Sequence, residues 1–118
     1  MNITWSKFYN LTNDDIQKHV PKSARVYLLW VKLQNGKWRC FYVGQADNLE
    51  KRLFDHTSDS ESNGCIKTKV LKRVCWFEYA KIGKQGDRNG IEKFFYDHFS
   101  PECNKSDPGG TPIEVNLP

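Results

Sequence analysis

The chain has 118 residues, enough for one domain and too few for two. Apolar residues make up only 38%, yet four Trp, five Tyr and seven Phe supply bulky core material; the longest apolar stretch, near Val26 to Leu33 and broken by Lys32, is far too short to cross a membrane. A net charge of +4 and a pI near 8.9 favour a polyanionic partner only weakly, and the segment Met1 to Lys7 lacks the apolar run of a signal peptide.

Thr12-Asn13-Asp14-Asp15 reads as a helix start, with Thr12 as N-cap and a helix over Asp14 to Val20 that Pro21 stops. Arg25 to Leu33 is β-rich and apolar on both faces, the pattern of a central strand. Asn35-Gly36 is a strong hairpin signal, and Lys37 to Gly44 is the return strand. Asp47 or Asn48 caps a helix with Leu49, Leu53 and Phe54 inward. Ser58 to Gly64 is a polar loop, Ile66 to Leu71 a short basic helix, and Val74 to Ile82 a third strand. Gly83 to Gly86 makes a turn, and Asn89 or Gly90 opens a last helix ended by Ser100-Pro101. The fold class expected is α+β: a small, three-stranded, largely antiparallel sheet flanked by helices, in a single domain over 1–118. Its core spans 24–104, with a helical extension over 1–23 and an irregular tail over 105–118.

Cys40, Cys65, Cys75 and Cys103 show no zinc-knuckle spacing, so reduced, mostly buried thiols in a cytoplasmic (or nucleoid-associated) protein are expected. The rival is a zinc site that combines some of them with His56 or His98. Lys67, Lys69, Lys72 and Arg73 crowd into seven residues, either as a solvated helix face or as a phosphate-contacting patch.

A two-residue turn at Asn35-Gly36 makes opposed residues sum to 71, so that Leu29 faces Tyr42 and Tyr27 faces Gly44. Alternation then puts Tyr27, Leu29 and Tyr42 on one side, with the tyrosines as diagonal neighbours. A one-residue slip would separate them. Gly44 would leave room beside Tyr27 for a ligand backbone. Such a pair by itself is ordinary packing.

Val26-Tyr27, Tyr42-Val43-Gly44, Arg52, His56, Glu92 and Asn104, taken in order, resemble the GIY-YIG nuclease family over roughly residues 24 to 104. Arg52 stands ten residues after Tyr42, the family interval, and Leu49-x-x-Arg52-Leu53-x-x-His56 reproduces the family's helix signature. Arg25 takes the place of the usual first glycine, and Val43 replaces isoleucine. The resemblance implies a Mg²⁺- or Mn²⁺-dependent endonuclease that leaves 5′-phosphate and 3′-hydroxyl ends, acting on nucleic acid, with DNA favoured over RNA.

Each role the resemblance implies has a physical reason. Tyr27 and Tyr42 orient and deprotonate a water, although a tyrosine with pKa near 10 needs a neighbour to lower or relay its proton. Arg52 and His56, four apart on one helical face, suit phosphate contact and proton shuttling. Glu92, expected to open the last helix, holds one metal ion, and Asn104 positions the site. Gln45 and Lys51 are further candidates for substrate contact. Specificity is expected from a homodimer, a partner protein or substrate shape. The competing readings are a nucleic-acid-binding module of the same fold with little activity without a partner, and a zinc-stabilised interaction module.

Overall fold

The computed structural model describes residues 1–118. Thr12 caps the first helix, α1 (Asn13–His19), by accepting from the Asp15 N–H at 3.3 Å, and Val20 ends it ahead of Pro21. Strand β2 (Arg25–Lys32) is the second strand of the sheet, after the short β1 (Tyr9–Asn10). β3 (Trp38–Ala46) and β4 (Cys75–Ala80) complete it in the order β1-β4-β2-β3, with every pairing antiparallel.

Four strands therefore replace the three expected. β1 is two residues long and carries no alternation to read, and β4 creates it by pairing Tyr9 with Phe77 and Asn10 with Trp76. The contact continues on both sides, through Leu11 N–H to Cys75 O at 2.9 Å and Ser6 N–H to Tyr79 O at 2.8 Å. Part of the extension expected to be helical is thus an edge of the sheet.

Tyr27 faces Gly44 and Leu29 faces Tyr42, as the parity argument requires, but the route differs. Near the turn Lys32 pairs with Trp38, Val31 with Arg39 and Trp30 with Cys40, one residue out of that register. The turn has three residues, Gln34 to Gly36: the Leu33 N–H donates to Lys37 O at 2.7 Å, and Gly36 sits at φ 83°. That left-handed position is where glycine is needed in a three-residue hairpin. Phe41 is then an extra residue in β3, a β-bulge between Leu29 and Trp30 that restores the original sum. Two one-residue shifts cancel, and both tyrosines stay on one face.

Helix α2 (Leu49–Thr57) starts at Asn48, whose side chain accepts from the Lys51 N–H at 3.1 Å. Helix α3 (Gly64–Lys72) starts at Asn63, which accepts from the N–H groups of Cys65 and Ile66. Helix α4 runs from Gln85 to Phe99, not from Asn89 or Gly90. Its first turn is held by the buried Arg88, which donates to Ile82 O at 2.8 Å and to Gln85 Oε1 at 2.9 Å. Glu92 consequently lies in mid-helix rather than at an N-terminus.

The sheet divides the core in two. On one face Tyr27, Leu29 and Phe41 pack with Ile16 of α1, Leu49 and Leu53 of α2 and Ile66 of α3. On the other face Val26, Leu28 and Val43 pack with Ile91 and Phe95 of α4 and with Val115. The tail is irregular but fixed: Asn116 pairs with the backbone of Ile3 in both directions, and Ile113 lies where a Cβ on Gly90 would be 2.6 Å away. No helix is long and apolar enough to cross a membrane.

The expectation of four reduced cysteines is corrected. Cys65 and Cys103 form a disulfide, while Cys40 and Cys75 are free and buried. The pair is 38 residues apart in the chain and meets because the segment after α4 returns to the N-terminus of α3. Closing a loop of that length contributes about 4 kcal/mol by the chain-entropy relation.

Candidate active site

β2 and β3 carry the two tyrosines, and α2 lies against their face. Leu49, Leu53 and His56 form the buried side of this helix at intervals of four and three, so the apolar stripe that docks α2 carries His56 inward with it. The ring centroids of Tyr27 and Tyr42 are 6.0 Å apart, and His56 lies 5.7 Å from the first and 5.4 Å from the second. The space beside Gly44 is filled by these rings. A Cβ there would lie 2.8 Å from the Tyr27 hydroxyl and from the Tyr42 ring, which corrects the expectation of room for a ligand backbone.

The two tyrosines have different settings. Tyr42 lines a cleft of about 290 Å³, together with Arg52, Asn63, Glu92, Asn104 and Lys105. Tyr27 is enclosed behind it, and its hydroxyl is 2.8 Å from His56 Nε2. His56 is equally enclosed, so it serves neither as an exposed helix end nor as a direct phosphate contact. Its Nδ1 is 3.0 Å from Glu61 Oε2. A carboxylate only accepts, so Nδ1 carries the hydrogen and Nε2 accepts from the Tyr27 hydroxyl. The direction Tyr27 to His56 to Glu61 is thereby set.

Electrostatics agree with this order. Burial, reinforced by Arg52, pushes the His56 pKa down to about 4 despite Glu61, which keeps the imidazole neutral at pH 7. Burial, with the charge of Tyr42, raises the Tyr27 pKa well above its ordinary value, and Arg52 pulls the other way. The phenolate is thus disfavoured, and the neutral hydroxyl hydrogen-bonded to His56 is the resting form. Arg52 projects toward the cleft with 35% of its side chain exposed and is anchored on Glu61 at 3.3 Å. Burial opposes its charge, but Tyr27, Glu61 and Tyr42 more than offset that effect.

Glu92 reaches the cleft from the other face of the sheet. Gln45 donates weakly to its Oε1 at 3.4 Å and more tightly to Asn89 Oδ1 at 2.7 Å. Gln45 therefore supports Glu92 and Asn89. Burial raises the Glu92 pKa, with Gln45 opposing. A half-buried carboxylate with one long hydrogen bond, facing an arginine and a lysine across a polar cleft, fits a divalent cation that keeps most of its waters. No three His, Cys, Asp or Glu side chains gather anywhere, so the zinc grouping does not assemble.

Asn104 acts as a clasp. It accepts from the Val43 N–H at 3.0 Å and donates to Val43 O at 2.9 Å. Cys103 N–H donates to the bulged Phe41 at 2.8 Å, and Asn63 donates to Cys103 O at 2.9 Å. Asn63 also gives its own N–H to Glu61 Oε1 at 3.0 Å. The disulfide, Asn63 and Asn104 thus tie the far wall of the cleft to β3 and to Glu61.

The basic cluster does not converge on the cleft. Lys67 donates to Asp59 O at 2.8 Å and Lys69 pairs with Glu102 at 2.8 Å, whereas Lys72 and Arg73 are exposed. Lys51 lies on the exposed side of α2. Three site residues escape sequence reasoning: Glu61, Asn63 and Lys105. Glu61 sits in a run of Ser, Asp, Glu and Asn where it cannot be told from Asp59, and only Asn63-Gly64 before a helix hinted at a cap.

The chain resembles a stretch of UvrABC system protein C. The relative, from Mycoplasmopsis agalactiae, is 33% identical over 87 residues, which is 74% of this chain and 14% of that protein. No family model and no solved structure matches the chain.

Proposed function

We propose that the chain is a metal-dependent endonuclease of the GIY-YIG family that hydrolyses phosphodiester bonds in nucleic acid, with DNA favoured over RNA. The observation that carries this reading is the line Tyr27–His56–Glu61 lying directly behind Tyr42, Arg52 and Glu92 at one polar cleft. The similarity to UvrABC system protein C supports a nuclease-type function at the level of the family.

In this reading a water in the cleft gives a proton to the Tyr42 oxygen as Tyr42 passes its own to the enclosed Tyr27 oxygen and Tyr27 passes its own to His56 Nε2. Glu61 holds the resulting imidazolium through Nδ1. Tyr42, on the cleft wall, orients the water. The water oxygen bonds to phosphorus, the bond from phosphorus to the 3′ oxygen breaks, and the leaving oxygen takes a proton from solvent. Arg52, preset by Glu61, neutralises a phosphate oxygen. Glu92 would hold one Mg²⁺ or Mn²⁺, whose charge would further polarise the phosphate. Lys105 adds a second cation to the cleft wall.

The test is a substrate panel of linear, supercoiled and branched DNA and RNA with Mg²⁺ or Mn²⁺. Cleavage of at least one substrate is expected, with 5′-phosphate ends and complete loss in chelator. Salt-dependent binding without cleavage of any substrate would replace this reading with a binding module that needs a partner for activity.

A further inference from the structure

On the α4 side of the sheet, the helix covers only part of the surface. Its last residue, Phe99, meets Trp30 edge-on at 5.4 Å, and beyond that point the sheet residues Trp38 and Trp76 are only half-buried. Register puts Trp30, Trp76, Trp38 and Lys32 on this same open face, because Trp30 pairs with Trp76 and Lys32 pairs with Trp38. Trp38 and Trp76 reach across β2 to within 4.1 Å of each other, and Phe8 extends the row at 5.5 Å from Trp76. Phe8 is 48% exposed, and Val74, just before β4, is 57% exposed.

The exposed charges that flank this row on its own face are cationic. Lys7 precedes Phe8, Lys72 and Arg73 lead into Val74, and Lys32 stands within the face; all four are exposed and none makes an ion pair. The segments 1–13, 23–46 and 62–77, which carry Phe8, Trp30, Trp38 and Trp76, contain no Asp or Glu, and the acid that follows on β4, Glu78, is buried beside Trp30 rather than exposed on the face. A second copy of the chain docking here by two-fold symmetry would set these cations against one another. A polyanion with flat apolar rings matches both the charge and the row of aromatics.

We infer that this open end of the sheet, centred on Trp38 and Trp76 with Lys32 beside them, is a platform for single-stranded nucleic acid, on which unpaired bases stack while the lysines and Arg73 meet the phosphates. Trp38 and Trp76 are half-buried, and the exposed parts of their rings with Phe8 supply the stacking surface; stacking tolerates any base because every base has a π face. The platform lies on the opposite side of the sheet from Tyr27 and Tyr42, so it binds a segment of chain away from the cleft. It does not require the cleft to be catalytic.

Three of the four tryptophans lie on the platform, so intrinsic fluorescence reports its occupancy. The experiment titrates the full chain carrying Glu92→Ala, in chelator, with a short oligothymidylate and with a duplex of equal length. Saturable quenching by the single strand is expected, weakened by salt. Trp38→Ala and, separately, the surface change Lys32→Glu should each reduce single-strand affinity by about tenfold and leave duplex binding unchanged. Unchanged single-strand affinity in a folded Lys32→Glu variant would overturn the proposal. So would concentration-dependent dimerisation that Trp38→Ala abolishes, since it would assign the face to a second copy. Because cleavage is disabled throughout, the result is independent of whether the cleft proves to be a nuclease.

Discussion

Tyr27→Phe is expected to slow phosphodiester cleavage by at least about a hundredfold, the usual range for loss of a proton-transfer group. The ring that packs against Tyr42 remains, so the site keeps its shape. What disappears is the hydroxyl 2.8 Å from His56 Nε2, and with it the hydrogen bond that carries the proton to the buried imidazole. The same deletion leaves Nε2 enclosed without a partner, which costs about 1–3 kcal/mol of stability. Single-turnover nicking and thermal unfolding of the variant separate the two effects. A rate within a few-fold of the parent would show that the buried tyrosine is a packing residue.

Glu78→Gln is expected to stabilise the protein at pH 7 by on the order of 2–3 kcal/mol, an effect that grows toward pH 8 and vanishes near pH 5. Glu78 lies on β4 inside the α4-side core, where its Oε1 and the nearby Trp30 Nε1 are both buried without partners. Burial pushes its pKa from 4.5 up to about 8, with the Trp30 indole pulling slightly back. The folded chain therefore keeps a proton that the unfolded chain releases, and stability falls as pH rises from 4.5 to 8. His56 works in the opposite sense: its folded pKa near 4 lies below the ordinary 6.5, so its contribution is lost as pH falls between those values. The two slopes offset each other between 4.5 and 6.5, and above 6.5 the Glu78 slope is no longer opposed by His56. Urea unfolding of parent and variant at pH 5 and pH 8 checks this. A difference that does not change with pH would mean that Glu78 does not titrate in this range.

How legible the molecule was depends on which interactions define each part. Helix starts marked by local hydrogen bonds, such as Thr12 and Asn48, are readable because the cap residue and its acceptor are neighbours in the chain. The inward side of α2 is readable from Leu49 and Leu53, and Arg52 and His56 follow from their place on that helix. The hairpin is instructive in another way. The parity of Tyr27 and Tyr42 holds because the left-handed Gly36 and the bulge at Phe41 shift the register in opposite senses. Neither shift is visible in the pattern of apolar residues.

The parts that were hidden depend on distant partners. β1 exists only because β4 lies beside it. The start of α4 is masked by Gly86 and Gly90, residues that favour turns, and is held instead by a buried arginine. Cys65 and Cys103 carry no local spacing signal and meet only in the folded chain. Glu61 is the consequential case. Its loop looks like solvated surface, yet its carboxylate is buried against His56, Arg52 and the Asn63 N–H. The residues carrying the resemblance were readable by type and interval, whereas the group that orients two of them was not.

The assignment of the cleft as a metal-dependent phosphodiesterase site meets its most direct test in one comparison: nicking of supercoiled plasmid by the parent and by Glu92→Ala, side by side, in Mg²⁺ and in Mn²⁺. Glu92 is the single carboxylate lining the cleft, so the parent should nick and the variant should be slower by at least about a hundredfold. Equal nicking by the two proteins would contradict the assignment.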